Sequence, residues 1–302
     1  MRLICSILIV LLTLARHSLA DLHVVATTSM LADAARQVAG DRARVTSLMG
    51  PGVDPHLFKP SPGDMRLLSS ANLVLYNGLH LEGRLADALV KLARTRPLVQ
   101  ATESIPEDRL REPPEFDGHY DPHVWFDPEL WVFVVERIRE ALAEVDPSGS
   151  DAYATNAAAY IEQLRSLHEW TTEQLAAVPA HARVLVTAHD AFGYFGRAYA
   201  FEVLAVQGIS TDSEASVRDI NRLVDTLIER RIPGVFIESS VPRKAVEALV
   251  QGCKSRGHAV AIGGELYSDA LGPEGSGAAT YIDMVRHNVR TIASALTPKP
   301  AR

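Results

Sequence analysis

Ser150–Val178 reads SDAYATNAAAYIEQLRSLHEWTTEQLAAV, a run with no glycine or proline. Within it Tyr153, Ala157, Tyr160, Leu164, Leu167, Thr171 and Leu175 recur at steps of three and four. That spacing keeps one apolar stripe on one face of a helix. The run predicts about seven to eight turns, roughly 40 Å of helix. Globular helices average about three turns, so this one is long enough to act as a strut.

On both sides of the strut, short apolar runs alternate with helical patterns. Before it, His23–Thr27, Val45–Met49 and Leu73–Tyr76 read as strands. Met30–Val38 reads as a helix ended by Gly40. Ser61-Pro62-Gly63-Asp64 reads as a helix start, with Ser61 as cap, Pro62 at the first helical position and Asp64 three residues on. After it, Val184–Thr187, Val203–Val206, Gly234–Glu238 and Ala259–Gly263 read as strands. Ser216 and Asp219 have capping-box spacing ahead of Ile220, Leu223, Leu227 and Ile228. Such alternation predicts α/β lobes with mostly parallel sheets and flanking helices. The expected division is an N-terminal lobe over residues 21–146, a linking helix over 147–179 and a C-terminal lobe over 180–302.

The first twenty residues read as a secretory signal peptide. Arg2 supplies a positive start, Leu3–Ala15 an apolar stretch too short to span a bilayer comfortably, and Ser18-Leu19-Ala20 the small residues of a cleavage site. Cys5 lies inside the apolar stretch, away from the cleavage point, which speaks against a lipid-anchored cysteine. Removing Arg2 and Arg16, with no acidic residue lost, takes the formal charge from −7 to −9. An acidic chain is not drawn to nucleic acid by counterion release. Cys253 is then the one remaining cysteine, which excludes an internal disulfide and any site built from two thiolates.

The tripeptide Asp-Pro-His occurs twice, at Asp54-Pro55-His56 and Asp121-Pro122-His123. Proline fixes its own φ and restricts the residue before it, so each histidine enters on a stiffened backbone. In open α/β sheets, ligands bind beyond the carboxyl ends of strands. His56 follows the strand at Val45–Met49, His189 follows Val184–Thr187, and Asp269 follows the last predicted strand. Three imidazoles and one carboxylate can fill a four-coordinate shell around a divalent transition metal. Asp54, Asp121 and Asp190 are candidates to accept the second ring N–H of a ligand histidine. Taken singly, each of these residues has an ordinary reading: a satisfied loop histidine, a turn aspartate, a helix cap. His23, His168, His181, His258 and His287 read as plain strand, helix or turn residues, and the roles of His80 and His119 stay open.

From about Val24 to the C-terminal helix, the chain resembles the periplasmic solute-binding proteins of zinc/manganese ABC importers, the cluster A-I type. The stretches that carry the resemblance are VVATTSMLADAARQVAGD, GVDPHLFKPSPGDMRLLSSANLVLYNGLHLEG, DPHVWFDP, TAHDAFGYFGRAYAFEV, GISTDSEASVRDI, VFIESSVPRK and GGELYSDALG. The resemblance implies a metal in the cleft between two lobes, with His56 and His123 as ligands from the first and His189 and Asp269 from the second. It implies a single zinc or manganese ion as cargo and an inner-membrane permease as partner; family members often carry a lipid anchor, and a signal without one favours a free periplasmic protein, expected to be a monomer. Two departures bear on the metal. The His/Asp-rich insertion found before the second histidine in many zinc-dedicated members is absent, and the glutamate of many manganese-dedicated members is replaced by His189. The three-histidine, one-aspartate set is that of treponemal-type members. A secreted zinc hydrolase would need an open coordination position, and HExxH and GxSxG do not occur. A surface adhesin would need an anchor. Neither an enzyme nor an adhesin is the expected reading.

Overall fold

The computed structural model describes residues 22–116 and 118–297. The expected signal peptide and its cleavage near Ala20 lie outside the described residues. Strand β1 (His23–Ala26) leads to helix α1 (Ser29–Ala39), then β2 (Arg44–Ser47), α2 (Pro62–Ser70), β3 (Leu73–Tyr76), α3 (Ala86–Leu92) and β4 (Leu98–Gln100). Helix α4 (Pro128–Val145) and the long α5 (Ser150–Leu175) follow. The second half runs β5 (Val184–His189), α6 (Gly193–Tyr199), β6 (Glu202–Gln207), α7 (Val217–Glu229), β7 (Gly234–Glu238), α8 (Lys244–Ser255), β8 (Ala261–Leu266) and α9 (Tyr281–Leu296).

The first sheet has the order β2-β1-β3-β4, with every pairing parallel. In the second half β5 pairs with β6 and β7 with β8, again parallel, and the two pairs meet along β5 and β7. Both lobes therefore repeat one arrangement. In each, the first and third strands lie side by side with connections leaving in opposite directions, which opens a crevice at their carboxyl ends. Short parallel strands buried on both faces explain the near-continuous apolar runs in LVLY and GVFIE.

Local signals set the helix ends. Ser61 Oγ accepts from Asp64 N while Asp64 Oδ2 accepts from Ser61 N, a reciprocal cap with Pro62 at the first helical position. Ser216 and Asp219 do the same for α7. Gly40 ends α1 with φ +55°, a conformation few other residues adopt.

Helix α5 buries Tyr153, Ala157, Tyr160, Ile161, Leu164, Leu167, Thr171 and Leu175, the stripe expected from the sequence plus Ile161. That face packs on α1 and α4 from the first half and on α9 from the second. One hydrophobic core consequently runs through both lobes, from Val24 and Leu31 through Leu164 to Tyr281 and Ile292. Strand β8 departs from expectation. It begins at Ala261 and continues to Leu266 through Gly263 and Gly264. A register shift at Val235/Phe236 absorbs the glycine pair, and Gly264 has φ +151° where a Cβ would stand 2.5 Å from Thr291 of α9. The glycines keep the strand close to α9 and carry it on toward Asp269. Among the described residues, no helix is long and apolar enough to cross a membrane.

Candidate metal centre

His189 is the last residue of β5, and Glu238 is the last residue of β7 beside it. Both therefore emerge at the crevice of the second lobe. Asp269 lies three residues beyond β8. In the first lobe, His56 sits in the turn-rich segment after β2, and His123 immediately precedes a short 3₁₀ turn, Val124–Phe126, ahead of α4. Asp54 Oδ1 accepts from His56 N at 2.9 Å, and Asp121 Oδ1 accepts from His123 N at 3.0 Å. Each Asp-Pro-His thus folds into the same local turn, with the aspartate tying down the backbone of the histidine two residues on.

The four side chains converge. His56, His123, His189 and Asp269 each offer a ligand atom within 4.8 Å of the others. His56 Nε2 lies 3.3 Å from His123 Nε2, His189 Nε2 lies 3.3 Å from Asp269 Oδ2, and His123 Nε2 lies 3.6 Å from Asp269 Oδ1. Bonds of about 2.0–2.1 Å in a tetrahedral shell place neighbouring ligand atoms about 3.3–3.4 Å apart. Three of the edges are already close to that length. All four side chains are at most 2% exposed.

Burial of so many polar atoms needs compensation. Some is present. Asp121 Oδ1 stands 2.8 Å from His123 Nδ1, and Arg111 pairs with the other oxygen of Asp121. Ser240 Oγ donates to Asp269 Oδ2 at 3.2 Å. Glu238 Oε2 pairs with His189 Nδ1 at 2.5 Å, yet Asp269 Oδ1 and His189 Nε2 have no hydrogen-bond partner. Orphaned donors and acceptors facing one point are what a bound cation would satisfy.

The electrostatics divide the four side chains. Burial, partly opposed by Asp269, drives His56 down to about 3, so its ring is neutral and ready to donate electrons to a metal. Burial would also depress His189, but Asp269 and Glu238 together outweigh it and raise it well above the usual value. Burial would raise Asp269, yet the adjacent His189, then His123 and His56, hold it well below the usual carboxylate range. A cation entering here would displace a proton from His189 and take over its role as countercharge to Asp269 and Glu238.

Of the three aspartates expected to accept a ring N–H, Asp121 alone does so. Asp54 serves the backbone of His56 and bonds Thr211 Oγ1 with its other oxygen at 2.6 Å. Asp190 makes no hydrogen bond to the His189 ring; burial and the nearby Asp121 push its carboxyl up to about 6. The carboxylate beside the His189 ring is Glu238, which also accepts from His189 N at 2.9 Å. Its signal in the sequence was an acidic residue closing the buried strand GVFIE. His80 and His119 stand apart from the cluster. Their rings are 4.1 Å apart on the wall of a separate cavity of about 630 Å³.

By fold and site, this is a two-lobed α/β protein of the cleft-binding kind, with a nitrogen-rich cluster shared between the lobes. The chain belongs to the family described as the periplasmic component A of the zinc-uptake complex (ZnuA), whose model matches residues 24–295. It is 49% identical over 277 residues to the manganese-binding lipoprotein MntA of Bacillus subtilis (strain 168), covering 91% of this chain and 90% of that protein. It is 46% identical over 273 residues to the zinc-binding protein TroA of Treponema pallidum (strain Nichols), covering 90% and 88%. The solved structure of the periplasmic zinc-binding protein TroA from Treponema pallidum superposes with a TM-score of 0.89 at 45% identity, covering 91% of this chain and 99% of that one.

Proposed function

We propose that the chain is the cargo receptor of an ABC-type metal importer. His56, His123, His189 and Asp269 hold one zinc or manganese ion between the lobes and surrender it to an inner-membrane permease. The observation that carries this reading is the convergence of four buried side chains from four separate segments, with unpartnered atoms of His189 and Asp269 facing one point. Four protein ligands fill a tetrahedral shell and leave no position for a reactive water, which favours carriage over catalysis. The relatives compared above have metal-binding names and lend no support to a hydrolase or an adhesin. In the same reading, a leader at residues 1–20 is cleaved near Ala20 and releases a monomer into the periplasm. That monomer has lobes over 21–146 and 180–302, linked through 147–179.

The test pairs metal analysis with turnover assays. Purified apo protein given buffered zinc should retain a single ion per chain and hydrolyse no ester, peptide or phosphate substrate. A chain that holds no ion against a mild chelator, or that turns over such a substrate in a metal-dependent way, overturns the reading.

A further inference from the structure

The segment between β6 and α7 lies across the cleft. Two of its residues reach the facing lobe, and both land beside His56. Thr211, only 6% exposed, donates its hydroxyl to Asp54 Oδ2 at 2.6 Å. Asp212 pairs with Arg84 at 3.2 Å. Gly83, next to Arg84, packs so closely on His56 that an added Cβ would stand 3.0 Å from the His56 carbonyl oxygen.

Asp54 is the pivot. One carboxylate oxygen holds His56 N, and the other receives the hydroxyl of Thr211. The loop that presents His56 is thereby bonded, through a single side chain, to the opposite lobe. The Arg84–Asp212 pair is of a different kind. Its side chains are 43% and 46% exposed, so solvent screens it and it contributes little.

From this arrangement we propose that Asp54 and Thr211 form a latch that sets how long the cargo is retained. Asp54 is a positioning residue: it fixes the backbone of His56, and Thr211 ties that loop to the facing lobe, beside other crossing bonds such as Trp125 Nε1 to Ser268 O at 2.8 Å. Metal at His56 can leave once the cleft opens, and opening requires the Thr211–Asp54 bond to break. A partly buried hydrogen bond to a carboxylate is the strong kind. The latch therefore governs release far more than capture, because the open cleft that meets incoming metal has not yet formed it. The idea rests on the proposed cargo site.

The test uses zinc alone and the full chain. Zinc-loaded protein is mixed with excess chelator, and release is followed by stopped flow; capture is measured separately on apo protein. Thr211→Val keeps the shape and removes the donor. It should release zinc about tenfold to a hundredfold faster, the range expected for losing a hydrogen bond to a charged group. Its capture rate should change by less than about threefold, since differences of this type fall mainly on dissociation. Thr211→Ser restores the hydroxyl and should return release to near the wild-type rate. Arg84→Ala should have the smaller effect, less than about fivefold, as an exposed pair allows. Unchanged release in Thr211→Val overturns the latch while leaving the cargo site standing. So does an effect of Arg84→Ala equal to or larger than that of Thr211→Val, or a Thr211→Ser variant that stays fast. If wild-type protein holds no zinc, the cargo reading and the latch fail together.

Discussion

Replacing Glu238 by glutamine tests whether a carboxylate that does not itself join the ligand cluster governs metal affinity. Glu238 is 3% exposed and serves two donors of one residue: Oε1 accepts from His189 N at 2.9 Å, and Oε2 faces His189 Nδ1 at 2.5 Å. A carboxylate can accept from both. Glutamine has one acceptor and one donor, so one of the two His189 groups must then face an N–H. Two effects compete. Losing the carboxylate weakens the hold on the His189 ring and its electron donation to the metal. It also reduces competition from the proton that Glu238 helps to keep on His189. The second effect is incomplete, because Asp269 is the larger influence on that proton and remains. The net expectation is a loss of about 10–100-fold in zinc affinity, or about 1.4–2.7 kcal/mol. Calorimetry at pH 7.5 in two buffers of different ionisation enthalpy measures affinity and counts protons released. The variant should bind more weakly and release fewer protons per metal. Affinity within twofold of wild type, with unchanged proton release, would refute the argument.

The other expectations concern the cluster itself. His189→Ala and Asp269→Ala should each lose zinc in a chelator competition while their apo forms keep the wild-type circular dichroism, because His189 ends β5 and Asp269 lies in the loop beyond β8, both outside the hydrophobic core. In the apo protein His56 is depressed to about 3, so its contribution to stability is present above about pH 6.5 and is lost as pH falls toward 3, at up to about 1.4 kcal/mol per unit. His189 is raised, so its contribution is complete below about pH 6.5 and is lost as pH rises through its folded pKa. The combined contribution of these two histidines should therefore peak near pH 6.5, with the raised Asp190 opposing it between about pH 4 and 6, whereas the metal-induced rise in Tm should shrink from pH 7.5 to pH 5 as protons compete; calorimetric scans with and without zinc check both. Offered equal free zinc and manganese, apo protein should retain mostly zinc, since three imidazoles favour the later metal; predominant manganese in elemental analysis would show that geometry outranks ligand type.

The parts legible in the sequence are those whose signals are local. The stripe on α5, the caps at Ser61 and Ser216 and the paired Asp-Pro-His turns depend on neighbours within one or two turns of chain, and the structure places them where the spacing says. Helix α4 had a comparable signal in Asp127, whose side chain caps Glu129 N, followed by Pro128. Partnerships across the fold were not legible in this way. Glu238 reaches His189 only because β7 lies beside β5, and Thr211 reaches Asp54 only because the segment after β6 lies against the loop of the first lobe. Asp54 lies two residues before His56 and Asp190 directly after His189, yet the turn directs the first to an N–H and the second makes no bond to the His189 ring. Strand β8 outran its expected end because a bulge opposite Phe236 accommodates two glycines that, read alone, mark a stop.

The central claim is that one cation sits among His56, His123, His189 and Asp269. Crystals of zinc-loaded protein, with data collected on either side of the zinc absorption edge, test it without reference to function. One strong anomalous peak is expected about 2.0–2.2 Å from a nitrogen of each of the three histidines and an oxygen of Asp269. A dominant peak elsewhere, such as between His80 and His119, with none among the four, would contradict it.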